Sequence, residues 1–189
     1  MQHLEIAKLI INKSANVDHQ DEYKQTPLHY ASESGHLDIV KLLLDRSATV
    51  DHQDEEKRTP LHYASESGHL GIVKLLLDRF AIIDHQDETD KTPLHYASEC
   101  GHAKIVEHLL KRSANVDHQD EGKRTPLHYA SESGHLDIVE LLLARSAIVD
   151  NRDEENRTPL DYAKESGHLD IVNRLRHRSA IVDHQDENN

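Results

Sequence analysis

TPLHYASESGH, residues 26–36, recurs almost unchanged along this 189-residue chain. The segment starts again at Thr59, Thr92 and Thr125 and, in altered form, at Thr158, so each start lies 33 residues after the last. Periods of this size are typical of arrays in which one small unit cannot bury its own apolar face and stacks on copies of itself. The function is therefore expected in a repeated surface rather than in one pocket.

The repeat starting near Asp54 predicts a short first helix. Thr59 can accept a hydrogen bond from an unpaired backbone N–H, and Pro60 fits the first helical position. Leu61 and Ala64 are three residues apart and share one face of the helix. Gly68 follows where a left-handed residue would end it.

A second helix is predicted to begin near Leu70, because the residues that follow form a wide apolar stripe. Its apolar positions are Ile72, Val73, Leu75, Leu76 and Leu77. The polar stretch from Asp84 to Asp90 then predicts an extended arm and a turn that lead to the next Thr-Pro.

This helix–helix–turn order, with the motifs T-P-L-H-x-A, G-H, I-V-x-L-L-L and S-A-x-V-D, resembles the ankyrin repeat over nearly the whole chain. The resemblance implies an all-α solenoid of stacked helix-turn-helix units whose β-turn or hairpin fingers project in a row. It also implies a non-enzymatic module that binds other proteins. The near-consensus repeats are compatible with recent duplication, with a consensus-based design, or with a partner that is itself periodic.

Residues 1–189 are expected to form a single array. Residues 1–25 match only the second helix and finger of a repeat, and residues 158–189 are predicted to be a capping repeat and tail. In that last repeat, polar residues stand where the earlier repeats have His, Ser or Leu; these residues are Asp161, Lys164, Arg174 and Arg176. A terminal unit with nothing stacked on its outer side requires such a polar surface. The tail from Ser179 is expected to begin another finger. The full repeats start near Asp21, Asp54, Asp87, Asp120 and Asp153.

Two glycines common in ankyrin repeats are replaced throughout. After the second helix the chain has Ser47, Phe80, Ser113, Ser146 and Ser179, and at the finger turn it has Lys24, Lys57, Asp90, Lys123 and Asn156. If these sites keep a positive φ, each costs roughly 1–2 kcal/mol. A rearranged turn is the alternative.

Composition excludes several functions. The formal net charge of −13 argues against nucleic acid, which requires a surplus of Lys and Arg. No apolar run approaches the roughly 20 residues that cross a bilayer, and the first twelve residues lack a basic leader, so we expect a cytoplasmic protein without membrane contact. The single cysteine, Cys100, fits a reducing compartment. We expect no cofactor and no catalysis, since Ser, His and Asp repeat identically instead of forming one unique constellation.

Fourteen of the 17 histidines form three ladders. Those after T-P-L and those after Gly have structural hydrogen-bonding roles in ankyrin repeats. Those in the fingers, His19, His52, His85, His118 and His184, leave a metal site open as the alternative to a solvated acidic edge. Stacked helices lie about 8–10 Å apart, whereas zinc ligands lie about 2 Å from the metal, so neighbouring finger histidines cannot easily share an ion.

The resemblance places the partner-binding residues on the concave groove made by the fingers and the exposed side of the first helices. The finger residues are Glu22, Tyr23, Glu55, Glu56, Glu88, Thr89, Glu121 and Glu154. The residues before each Thr-Pro are Gln25, Arg58, Lys91, Arg124 and Arg157. The residues on the exposed side of the first helices are Glu33, Glu66, Glu99, Glu132 and Glu165. The pattern predicts two acidic rows flanking a basic row. The tyrosines of T-P-L-H-Y either border this groove or, as we favour, pack between repeats.

The leading hypothesis is thus an interaction module for a protein or extended peptide, with a basic partner favoured by charge. A structural scaffold without a dedicated partner is the rival, supported by how little the groove positions vary. A metal-binding array of His-Asp fingers ranks third. The array is expected to be a monomer with weak self-association at its N-terminal edge, where the first helix is missing.

Overall fold

A computed structural model describes residues 16–186, with side chains described as far as Ser179. The predicted all-α repeat fold is confirmed: the described residues form ten helices and no strand. The first helices of the five repeats are α1 (Pro27–Glu33), α3 (Pro60–Glu66), α5 (Pro93–Glu99), α7 (Pro126–Ser133) and α9 (Pro159–Glu165). The second helices are α2 (Leu37–Asp45), α4 (Leu70–Asp78), α6 (Ala103–Lys111), α8 (Leu136–Ala144) and α10 (Leu169–Asp186).

Each first helix starts as the Thr-Pro motif predicts. Thr59 is an extended N-cap with φ −101° and ψ 165°, and Pro60 occupies the first turn. The residue three positions after the threonine completes a capping box in every repeat, with His62 in α3 and Asp161 in α9. Because these bonds satisfy orphan N–H groups, a seven-residue helix is stable at its start.

The core lies between the two helices of each repeat and between neighbouring repeats. Leu61, Ala64, Val73 and Leu76 are fully buried. Gly68 ends α3 with φ 83°, and a Cβ atom there would lie 2.7 Å from Cε1 of His102 in the next repeat. The glycine thus supplies both a left-handed residue and room for the neighbouring repeat to approach.

The fingers keep the backbone that glycine would favour. Lys24, Lys57, Asp90, Lys123 and Asn156 have φ between 59° and 62°, and Ser47, Phe80, Ser113 and Ser146 have φ between 63° and 69°. Positive φ is therefore confirmed at these nine substituted glycine sites, and the alternative of a rearranged turn is wrong there; the tenth, Ser179, lies within α10 instead. Each finger also joins its predecessor, as in the 3.0 Å bond from Glu55 N to Tyr23 O.

The two ends of the array differ from the predictions in different ways. The expected partial N-terminal helix lies in residues 1–15, outside the described residues. The finger expected from Ser179 is wrong, because α10 continues to Asp186. In inner repeats the segment after the second helix bonds to the following repeat, as Asp51 does to Ile82 N. In α10 the corresponding backbone groups are satisfied within the helix instead.

The polar residues of the last repeat lie on its surface. Arg176 is exposed, and Arg174 is about one-third exposed and pairs with Glu140 of the preceding repeat, with 2.5 Å between Nε and Oε1. Surface exposure is what a capping repeat requires, and the capping role itself stays a prediction. None of the described helices combines the length and the apolar character that crossing a bilayer requires.

Candidate partner-binding face

An aspartate at the start of each finger organises the candidate site. Oδ1 of Asp54 accepts bonds from the N–H groups of Glu56 and Arg58, at 3.0 and 2.8 Å, and Oδ2 accepts the hydroxyl of Tyr63 at 2.6 Å. The side chain is buried, so it fixes the finger relative to the first helix. The other repeats use Asp21, Asp87, Asp120 and Asp153 in the same way.

The predicted finger acids lie at the outer edge of this arrangement. The residue after each organising aspartate is exposed, and its carboxylate forms no ion pair with any described residue; these residues are Glu22, Glu55, Glu88, Glu121 and Glu154. The third finger residue is also exposed at Tyr23, Glu56 and Thr89. We call the surface formed by the fingers, the residue before each Thr-Pro and the exposed helix glutamates the finger face.

The cations of the basic row are only partly exposed. The guanidinium of Arg58 lies between two tyrosine rings, with its Cζ 4.1 Å from the Tyr63 centroid and 4.7 Å from that of Tyr96 in the next repeat. Lys91 and Arg124 bridge successive tyrosines in the same way, and Arg157 lies 4.3 Å from Tyr162. These contacts form a continuous ladder of alternating cations and aromatic rings.

The helix glutamates neutralise that ladder. Arg58 pairs with Glu66 and Arg124 with Glu132, while Lys91 Nζ lies 3.2 Å from Glu99 and Arg157 Nη1 lies 3.6 Å from Glu165. The Arg58 side chain is only 13% exposed. The predicted acidic and basic rows are therefore not independent, because the helix glutamates of four repeats pair with the cations. Among the described residues, the glutamates of this face without an ion pair include those of the outer finger row and Glu33, whose repeat has Gln25 in place of the cation.

The tyrosines pack between repeats, as favoured from the sequence. Tyr63, Tyr129 and Tyr162 are 3–7% exposed, and the ring of Tyr63 meets the edge of His29 at a centroid distance of 5.6 Å. Burial, together with the hydrogen bond to Asp153, raises the pKa of Tyr162 to about 12. The tyrosines therefore hold repeats together, and Tyr30, at 47% exposure, is the exception.

The T-P-L-H histidines have the structural role that the resemblance implied. Nδ1 of His62 accepts the Thr59 N–H at 3.0 Å, and its Nε2–H donates to the Lys91 carbonyl of the next repeat at 3.2 Å. Burial lowers the pKa of His62 to about 4 and that of His95 to about 3. These rings are neutral and fixed in one tautomer. The histidines after Gly also join repeats, as His69 Nε2 does to Glu33 O at 2.9 Å.

The finger histidines are not simply solvated. Nε2 of His52 lies 2.7 Å from Nε2 of Gln20, and its ring packs edge-on against His29 at 6.1 Å. His85 and His118 repeat both contacts one repeat further on. In the part of the chain that the structure describes, no three His, Cys, Asp or Glu side chains are arranged around one metal position. These contacts link neighbouring fingers.

Cys100 lies at the exposed end of α5, where sister repeats have serine. Burial raises the pKa of its thiol, and the carboxylates of Glu66 and Glu99 raise it further. A raised pKa leaves less thiolate, the reactive form, so the environment fits a substitution for serine better than a nucleophile.

Sequence reasoning missed the cation–tyrosine ladder. Its signal is present in the repeat: a cation precedes Thr-Pro at Arg58, Lys91, Arg124 and Arg157, and a tyrosine follows five residues later. The contact that completes the ladder joins different repeats, so the pattern predicts it only when the repeats are considered as stacked.

A family model of ankyrin repeats in three copies matches residues 1–54, 47–120 and 113–186. The comparison with curated proteins gives no match. The match covers almost the whole chain and agrees with the ten helices and their order.

Proposed function

This chain belongs to the ankyrin-repeat family, and from that premise we propose that its finger face binds a basic protein or an extended basic peptide. Ankyrin repeats are generally protein–protein interaction modules and typically not enzymes. The observation that carries the proposal is the outer row of five exposed, unpaired finger glutamates on a chain of net charge −13. Unlike the ladder cations, these carboxylates are available to a partner. Location in the cytoplasm stays a prediction.

The finger geometry suggests how an extended partner would match the array. The two arms of one finger pair through Asp54 N and Arg58 O at 3.1 Å, and adjacent fingers pair through Glu55 N and Tyr23 O at 3.0 Å. Extended segments joined by such bonds lie about 4.8 Å apart, which gives about 9.6 Å per repeat for two arms. A polyproline II peptide rises about 9.3 Å in three residues and returns to the same face. A lysine at every third residue would therefore meet one finger glutamate per repeat.

A synthetic peptide of five Lys-Pro-Pro triplets is the sharpest probe. Its affinity, followed by fluorescence anisotropy of a labelled peptide, is expected to fall as salt rises, because the contacts are between exposed charges. A peptide of the same composition with its lysines clustered is expected to bind at least tenfold more weakly. Equal affinity of the two peptides would contradict the proposed register.

A pair of charge-matched variants tests the face itself. Glu55→Gln, Glu88→Gln and Glu121→Gln together remove three negative charges and change the net charge from −13 to −10. The control variant changes three exposed aspartates of the second helices to Asn: Asp38, Asp137 and Asp170. It changes the net charge by the same amount. Only the glutamate variant is expected to lose affinity. Equal losses would mean that overall charge, and not the finger face, attracts the peptide.

The second candidate is a structural scaffold without a dedicated partner, favoured by the near-identity of the repeats at the finger face. Failure of every basic peptide to bind would favour it. We further propose that the array is a monomer with weak self-association at its N-terminal edge. Light scattering over a range of concentrations tests this point.

A further inference from the structure

The residue at the tip of each finger differs in charge between repeats. We call these residues the tip row; they are Lys24, Lys57, Asp90, Lys123 and Asn156, and their φ angles lie between 59° and 62°. All five are exposed, and the four charged ones form no ion pair with any described residue. The charge is positive in the first, second and fourth fingers and negative in the third. The tip row is therefore available to a partner and is not periodic.

The turn that carries the tip residue has the same geometry in the second and third fingers. The N–H of Lys57 donates to the Asp54 carbonyl at 3.1 Å, and the N–H of Asp90 donates to the Asp87 carbonyl at 3.1 Å. The backbone therefore presents both tip side chains in the same way. The third finger differs from the second in the charge of its tip and not in the shape of its turn.

The finger glutamates cannot by themselves fix where a periodic peptide binds. One such glutamate occurs in every repeat, so a peptide shifted by one repeat makes most of the same contacts. Registers with similar contacts have similar affinities, and specificity requires a difference between them. The reversal of charge at Asp90 supplies that difference, because it distinguishes the third finger from both of its neighbours.

A groove next to Asp90 adds an apolar surface to this charge. The groove has a volume of about 380 Å³, and its lining includes Lys57, Ile82 and Asp90. Ile82 is 55% exposed, and the neighbouring repeats have Thr49 and Asn115 at its position. A lysine or arginine of a partner can lay its apolar stem on Ile82 while its charged head meets Asp90. The groove therefore fits a long basic side chain.

We propose that the tip row selects a peptide with an acidic, a basic and an acidic residue opposite Lys57, Asp90 and Lys123. The inference rests on the function proposed above and specifies the charge pattern of the partner. Fingers lie about 9.6 Å apart, and each face of a polyproline II peptide repeats after about 9.3 Å. A peptide that places a lysine on each finger glutamate therefore presents the residue after each lysine on a second face, toward the tip row. The triplets Lys-Glu-Pro, Lys-Lys-Pro and Lys-Glu-Pro, in this order, match both rows.

Two peptides of five triplets test this pattern. Both begin and end with Lys-Pro-Pro; the first has the three triplets above between these ends, and the second has three Lys-Glu-Pro triplets. Fluorescence anisotropy measures the affinity of each peptide for the parent and for Asp90→Lys. The parent is expected to bind the first peptide at least about fivefold more tightly than the second. In the variant this preference should fall at least about threefold, because a like charge replaces the opposite charge at the third finger.

The test variant and its control both use residues that sister repeats already have. Asp90→Lys introduces the residue of the second and fourth finger tips at the same φ, so the fold is expected to be kept, as helical circular dichroism checks. The control is Asp38→Lys, on a second helix, where the third repeat has Lys104. Both variants change the net charge from −13 to −11. The control is expected to keep the preference of the parent, since a comparison of ratios removes the effect of overall charge.

The outcomes separate this inference from the function on which it rests. If the parent binds both peptides equally, or if Asp90→Lys keeps the preference of the parent, the tip row does not select the peptide, although the finger face still binds it. An equal fall in Asp90→Lys and Asp38→Lys would assign the preference to overall charge and would also overturn the inference. Failure of both peptides to bind the parent would overturn the proposed function and this inference together.

Discussion

Mild acidification is expected to destabilise the array through its buried neutral histidines. The pKa of His62 is lowered to about 4 and that of His95 to about 3, against about 6.5 in an unfolded chain. The unfolded state therefore binds protons that the folded state excludes, so the free energy of unfolding is constant above about pH 6.5 and falls below it. At pH 5, about 1.5 units below the unfolded pKa, each histidine costs about 2 kcal/mol, or about 4 for the pair. The pKa values of His29 and His128 shift the same way and add to this loss.

Urea unfolding at pH 7.5 and pH 5 measures the effect, with His62→Gln as the test variant. This variant is expected to be less stable than the parent at pH 7.5 by roughly 1–3 kcal/mol, because buried hydrogen-bonding partners lose their histidine. Between the two pH values, however, it should lose about 2 kcal/mol less than the parent. The exposed His177, changed to Gln, is the control and should retain the loss of the parent.

Carboxylates are common to the parent and the variant, so their contributions, including those of Asp51, Asp84 and Asp117, whose pKa values burial raises, cancel in the comparison. Burial raises the pKa of Asp87, but the hydrogen bonds from Tyr96, Thr89 and Lys91 together lower it by more, so its stabilising contribution is lost only as the pH falls below about 4. If His62→Gln loses as much stability as the parent between pH 7.5 and pH 5, the T-P-L-H histidines are not the proton-linked groups and the reasoning is wrong.

Three further substitutions test the local geometry by urea or thermal unfolding. Lys57→Gly is expected to raise the free energy of unfolding by up to about 1 kcal/mol because φ is 59° there; no gain would mean that the turn is not strained. Gly68→Ala should lower it by more than about 1 kcal/mol, since it adds a Cβ 2.7 Å from His102 at φ 83°, and an unchanged midpoint would exclude this close approach. Tyr96→Phe should cost about 1 kcal/mol by removing the 2.6 Å bond to Asp87, whereas a neutral result would mean that Asp87 is satisfied without it.

Most of the fold follows from the sequence because each signal acts within one repeat. The start of α3 at Thr-Pro and its end at Gly68 depend on residues a few positions apart. The 33-residue period then predicts that each helix packs against the equivalent helix of the next repeat. Positive φ at Lys57 was one of two open alternatives. The sequence alone did not decide it, because a lysine neither requires nor excludes a left-handed backbone.

The charge arrangement of the finger face was predictable only in part. Position along the chain placed Arg58 and Glu66 in adjacent rows, but whether they pair with each other or face a partner depends on side-chain geometry. The stacking of Arg58 on Tyr96 joins two repeats and has no local signal. The helical segment after Ser179 was missed because the residues of an inner finger recur there, and whether they form a finger depends on contacts between repeats such as that of Asp51 with Ile82 N.

A map of backbone amide chemical shifts during titration with the Lys-Pro-Pro peptide tests the central claim most directly. We predict that the largest changes fall on the amides of Glu55, Glu88 and Glu121 and on the exposed ends of the first helices, and that they diminish with added salt. Second-helix amides such as those of Asp38 and Asp137 should change little. Chemical-shift changes centred on the second helices would contradict the assignment of the finger face as the binding site. So would the absence of any change at a peptide concentration of about 1 mM, since the binding free energy would then be weaker than about −4 kcal/mol.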